Sequence, residues 1–179
     1  MLTLENTILV VVDVQGKLAQ LMHEKERFFD NLQKIINGVH VLHIPIIVTE
    51  QLPEKLGPTI PELARLLSDV QPIRKISFSC SGSEAFMKAL EASGRQQVLL
   101  TGMETHVCVY QTAMDLLQSG YEVHVVTDAV ASRAAENKLV GLERIKAAGA
   151  VPTSTEMALF ELLRVAEGPP FKEIIRIVK

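Results

Sequence analysis

Tryptophan is absent from this 179-residue chain, and aromatic residues make up only 4% of it. With 47% apolar residues, the core must be aliphatic. Only two cysteines occur, Cys80 and Cys108, and they form neither a CxxC pair nor a disulfide framework. They read as free thiols of a protein in a reducing compartment, so a cytoplasmic location is expected. No run of like charge stands out and the formal net charge is -3, which gives no footing for nucleic acid or an anionic membrane surface. No apolar stretch approaches the ~18 residues of a membrane span. The N-terminus enters a strand-like run without a charged leader region, so no signal peptide is expected. Glycine-rich phosphate loops are missing, and no cofactor is expected. The five histidines, His23, His40, His43, His106 and His124, lack Asp-x-His or His-Glu-x-x-His spacing, so no metal site is expected either.

What is present is a strict alternation of two patterns. Four short runs rich in Val, Ile and Leu lie at Thr7–Val12, Ile44–Val48, Gln97–Leu100 and Tyr121–Val126. Their nearly continuous apolar character marks strands buried on both faces of a parallel sheet. Weaker runs lie at Val70–Ile76 and Ala150–Pro152. Between them, helical periodicity covers Phe28–Leu42, Ala85–Ala92, Thr105–Ser119, Asn137–Ala148, Met157–Val165 and Pro170–Val178. Ser81, Thr105 and Thr153 are candidate caps. The alternation predicts one α/β domain over residues 1–179, with right-handed crossovers. The stretch "EQLPEKLGPTIP", Glu50–Pro61, reads as an ordered loop suited to a lid or an interface.

Ligands of an open parallel sheet bind beyond the carboxyl ends of its strands. At those ends the sequence places Asp13, then Thr49, Glu50 and Gln51, then Arg74 and Lys75, then Cys108, and finally Asp128. Cys108 falls in the first turn of the helix that follows "TGMETHVC". A thiolate is the reactive form of cysteine, and helix-start amides and a nearby lysine both favour it. Asp13 is placed to hold or accept the thiol proton, and Lys75 to balance the charge of Asp13. The same amides suit an oxyanion. Read alone, Cys108 fits a small core residue as well; the joint placement of Asp13, Lys75 and Cys108 is what points to chemistry. Gln15, Glu50, Gln51, Phe78 and His106 are candidate pocket walls. Cys80 reads as a helix-entry residue.

Several of these segments resemble the isochorismatase-like cysteine hydrolases across nearly the whole chain. The likeness rests on "ILVVVDVQGKL", "RKISFS", "LLTGMETHVCV" and "GYEVHVVTDAVASR". "VTEQLPEKLGPTIPEL" and "FKEIIRIVK" bring it nearest to the isochorismatase domain-containing branch. The resemblance implies a three-layer α/β/α sandwich with a six-stranded parallel sheet. It also implies Asp13, Lys75 and Cys108 as a catalytic triad attacking a small amide or related compound. A cis bond between Met103 and Glu104 is implied as well, with the amides of Glu104 and Cys108 forming the oxyanion hole. Nicotinamidase relatives hold a metal with an Asp-x-His pair where this chain reads Thr49-Glu50-Gln51. Relatives form dimers or larger rings, so a homo-oligomer is expected. The competing readings are a silent scaffold protein on the same fold, an isochorismatase-type vinyl ether hydrolase, and a redox sensor pairing Cys80 with Cys108.

Overall fold

The apolar runs become six parallel strands in the computed structural model, which describes all 179 residues. In chain order the elements begin with β1 (Thr7–Val12), α1 (Gly16–Ala19), α2 (Lys25–Val41) and β2 (Ile46–Gln51). Then come α3 (Pro53–Leu56), α4 (Pro61–Ala64), β3 (Ile73–Lys75), a 3-10 turn (Cys80–Gly82) and α5 (Glu84–Ala92). They continue as β4 (Gln97–Met103), a π-helical turn (Thr105–Val109), α6 (Tyr110–Gln118) and β5 (Glu122–Ala131). The chain closes with α7 (Ala135–Ala147), β6 (Val151–Thr153), α8 (Thr155–Leu163) and α9 (Gly168–Val178). The strand order is β3-β2-β1-β4-β5-β6. No helix is long and apolar enough to cross a membrane.

Side chains alternate between the sheet's two faces, and each face has its own core. Leu9, Val11 and Val48 pack with α2, α8 and α9 through Leu32, Ile35, Ile36, Leu159 and Ile174. Ile8, Val10, Val12 and Ile47 pack with α5, α6 and α7 through Phe86, Leu90, Ala113, Leu116 and Ile145. The expected three-layer α/β/α sandwich is the one observed. The strand order reverses between β1 and β4, and such a switch point opens a crevice beyond the carboxyl ends of those two strands. Asp13 follows β1 directly, and Cys108 follows β4 by one turn.

Several boundaries differ from the sequence expectation. β2 runs on to Gln51, so the Glu50–Pro61 loop starts later and contains α3. β5 continues to Ala131 through a bulge: Leu100 pairs with Val125, but Gly102 already pairs with Val130. Asp128 therefore lies inside β5 rather than past its end. Ser83, not Ser81, caps α5, accepting from the Phe86 amide at 3.4 Å. Ser154 rather than Thr153 caps α8, accepting from Met157 N at 3.2 Å. Thr105 caps nothing; it is fully buried, with its hydroxyl unpaired.

Gly102 has a specific cause. It lies opposite Val12 with φ at +114°, and a Cβ there would sit 2.2 Å from the Val12 carbonyl oxygen. Only glycine allows β1 and β4 to approach this closely. Gly102→Ala is expected to destabilise the fold by about 3 kcal/mol. In urea unfolding this appears as a lowered midpoint with little change in slope.

Candidate active site

Asp13 ends β1 in the left-handed region, with φ at +52°, a conformation that Asp tolerates better than most side chains. Its amide donates to Thr49 O at 3.2 Å. Its side chain is buried and held at both oxygens. Lys75 Nζ donates to Oδ2 at 2.5 Å, and Thr49 Oγ1 donates to Oδ1 at 2.8 Å. Lys75 reaches this carboxylate from the end of β3. Its ammonium also donates to Ser77 O and Phe78 O, both at 2.9 Å. All three ammonium protons are thus placed.

Cys108 lies in the π-helical turn. Gln51 Oε1 accepts from Sγ at 3.7 Å, and the Asp13 carboxylate lines the same cleft. Gln51 is itself fixed: its Nε2 donates to Ile76 O at 3.0 Å, and its amide donates to Gln15 Oε1 at 2.7 Å. The cleft works against the thiolate that the helix-start amides favour. Burial, followed by the negative charge of Asp13, pushes the Cys108 thiol up to about 12, and Lys75 offsets this only in part. Both effects favour the protonated thiol. Burial also raises Asp13 above the ordinary carboxylate range, with the Lys75 charge and its hydrogen bond opposing.

Asp13, Gln51 and Cys108 share a cleft of about 280 Å³. Asp13, Gln51, Phe78, Met103, Glu104 and Cys108 line it together with Leu18, Leu56, Val107 and Arg133. The Met103–Glu104 peptide bond is cis. The Glu104 carbonyl accepts from the Val107 and Val109 amides at 3.0 and 3.2 Å, which shapes the turn. The Glu104 carboxylate accepts from Arg133 Nε at 2.5 Å and from Arg133 N at 3.2 Å.

Three predicted pocket residues stand elsewhere. Glu50 points to the opposite face of the sheet from Thr49 and Gln51, as strand alternation requires. Its Oε1 accepts from Thr59 N and Thr59 Oγ1, both at 2.7 Å. Gln15 lies behind the wall, donating to Gly57 O at 2.7 Å. His106 turns outward, with Nδ1 3.0 Å from Ser132 Oγ. The Glu50–Pro61 stretch is strapped down by these bonds and by Gly16 N to Pro58 O at 3.0 Å. It forms a fixed wall of the cleft, contributing Leu56. Sequence reasoning missed Leu18, Leu56, Val107 and Arg133. Of these, Val107, beside Cys108 past β4, and Arg133, just past β5, lay near strand ends where they could have been sought. No group of three or more His, Cys, Asp or Glu side chains is arranged to hold a metal ion.

The isochorismatase domain family model matches residues 7–157. The chain belongs to the isochorismatase family. Isochorismatase domain-containing protein 2A of Mus musculus is 39% identical over 177 residues, covering 98% of this chain and 84% of that protein. It places the chain in the isochorismatase domain-containing branch of a hydrolase superfamily. Among solved structures, MAR1 ribonuclease from Caenorhabditis elegans matches with a TM-score of 0.92 and 34% identity, over 99% of this chain and 91% of that one. YcaC from Pseudomonas aeruginosa, with hexane-2,5-diol and covalent acrylamide, matches with a TM-score of 0.93 and 26% identity, over 98% and 90%.

Proposed function

We propose that this isochorismatase-family chain is a cysteine hydrolase of a small amide or related acyl compound. The observation that carries the reading is that Cys108 and Asp13 line one small cleft, with Asp13 held from behind by the buried Lys75. With the protonated thiol favoured, the route is general-base attack. Asp13 takes the Cys108 proton as Sγ bonds to the carbonyl carbon. The amides of Glu104 and Cys108 stabilise the oxyanion. Protonated Asp13 then gives its proton to the leaving nitrogen as the C–N bond breaks, leaving a thioester. Water, deprotonated by Asp13, cleaves the thioester, and the proton returns to Sγ as the acid departs. Lys75 keeps Asp13 ionised between turnovers. The walls of Leu18, Leu56, Phe78, Met103 and Val107 favour a short apolar acyl group. At about 280 Å³ the cleft lies at the small end of ligand sites. The covalent acrylamide of YcaC, an electrophilic amide, is consistent with a reactive nucleophile on this fold.

A panel of small primary amides with ammonia release as the readout tests the reading. An RNA oligonucleotide and an enol ether serve as parallel arms. At least one amide is expected to release ammonia at a rate proportional to enzyme. Cleavage confined to the RNA or the enol ether would overturn the amidase reading. Silence in all three arms would favour a scaffold role.

A further inference from the structure

Thr49 stands next to this machinery, and nothing in the proposed reaction uses it. It lies on β2, fully buried, and grips Asp13 twice: its carbonyl accepts the Asp13 amide at 3.2 Å, and its hydroxyl donates to Oδ1 at 2.8 Å. An ionised carboxylate only accepts, so the single hydroxyl proton of Thr49 is committed to Asp13. The Thr49 oxygen must then accept from whatever donor stands behind it. That donor is Cys80, whose Sγ is 3.6 Å away. Cys80 is fully buried, and burial pushes its thiol up to about 11, so it keeps its proton. The Cys80 amide in turn donates to Thr112 Oγ1 at 2.9 Å. Thr112 lies one helical turn past Cys108 on α6. Cys80 is therefore tied at its amide to the helix that follows the nucleophile and at its thiol to Thr49, which holds the base.

We propose that Thr49, backed by the Cys80 thiol, is a positioning residue that fixes the Asp13 carboxylate toward Cys108 and keeps it ionised. The inference rests on Asp13 being the base. With Oδ2 on Lys75 and Oδ1 on Thr49, the carboxylate plane cannot rotate, and its remaining lone pairs are left for the Cys108 proton. Both bonds favour the charged form of a group that burial would otherwise neutralise. The titratable groups facing Asp13 are Lys75 from β3, Cys108 from the π-helical turn and Cys80 from the 3-10 turn. Glu104 and Arg133 on the same cleft are paired with each other.

The test is the pH dependence of Cys108 alkylation by iodoacetamide, read by mass spectrometry on the full chain. This needs no substrate. Thr49→Val keeps the branched shape suited to a strand but removes the hydroxyl. It is expected to move the acid limb of the rate up by about one pH unit, because a hydrogen bond to the charged form is lost. Thr49→Ser should restore the wild-type limb, and Cys80→Ala should move it in the same direction as Thr49→Val by less. Thermal melting of each variant separates packing loss from this shift, since a looser fold alone does not displace the limb. An unmoved limb in Thr49→Val, with Asp13→Asn having abolished it, would sink this inference while leaving Asp13 as base. A wild-type limb that survives Asp13→Asn would instead sink the base assignment itself.

Discussion

Cys108→Ala is expected to lower kcat/KM for any amide the wild-type chain hydrolyses by about 10⁴-fold or more, the scale of nucleophile loss in covalent hydrolases. The effect is large because the cleft offers no substitute. Its other lining residues include no serine, threonine or second cysteine. Cys80 is sealed behind Thr49, and its thiol is committed there. Folding should change little, since the substitution removes one sulfur at a cleft wall and its one long bond, to the half-buried Gln51, lies where water can replace it. The change in Tm is expected to stay within a few degrees, about what a 1 kcal/mol change gives at this size. Paired measurements of kcat/KM and Tm check both halves. Amide hydrolysis surviving in Cys108→Ala would shift the chemistry to the cleft carboxylates.

Lys75→Met has the second large effect, and it falls on stability. The Asp13–Lys75 pair is shielded from solvent on both sides, with side-chain exposures of 5% and 0%. Removing one partner of such a pair strands the other, at a cost of about 3–5 kcal/mol. The pH dependence gives the sign. Burial already raises Asp13 in the folded state, and loss of Lys75 raises it further. An acid with a raised folded pKa favours the fold when protonated and opposes it as pH climbs through that pKa. The Lys75→Met deficit should therefore be larger at neutral pH than in acid, shrinking as Asp13 becomes protonated. Asp13→Asn combined with Lys75→Met should recover much of the loss at neutral pH, since no charge is then stranded. Urea unfolding of both variants at neutral and mildly acidic pH measures this. Equal deficits at both pH values would contradict it.

The sheet was legible wherever a strand is buried on both faces, because β1 and the first part of β4 are then unbroken aliphatic runs. It was not legible in the second half of β5. There Thr127 and Asp128 interrupt the pattern, and the strand resumes only because the bulge lets Val130 and Ala131 pair with Gly102 and Met103. The strand-end rule located Asp13, Lys75 and Cys108, since each needs only to follow its own strand. Strand alternation also carried a signal that separates Gln51 from Glu50: residues 49 and 51 share one face, and 50 takes the other. The protonation state of Cys108 had no such local trace. A helix start suggests a thiolate, but the π-helical turn buries the thiol beside Asp13, and burial dominates. Leu18 and Leu56 reach the cleft from segments whose packing no periodicity encodes.

The rate at which acrylamide modifies Cys108 at pH 7 tests the central claim most directly. A thiol pushed up to about 12 and left to ionise unaided should react about 10²-fold more slowly than a simple thiol near 8.5, after allowing for its greater nucleophilicity. With Asp13 removing the proton during attack, modification should match or exceed that of glutathione, with Cys80 left untouched. A rate about 10²-fold below glutathione would show a buried, unassisted thiol and contradict the account.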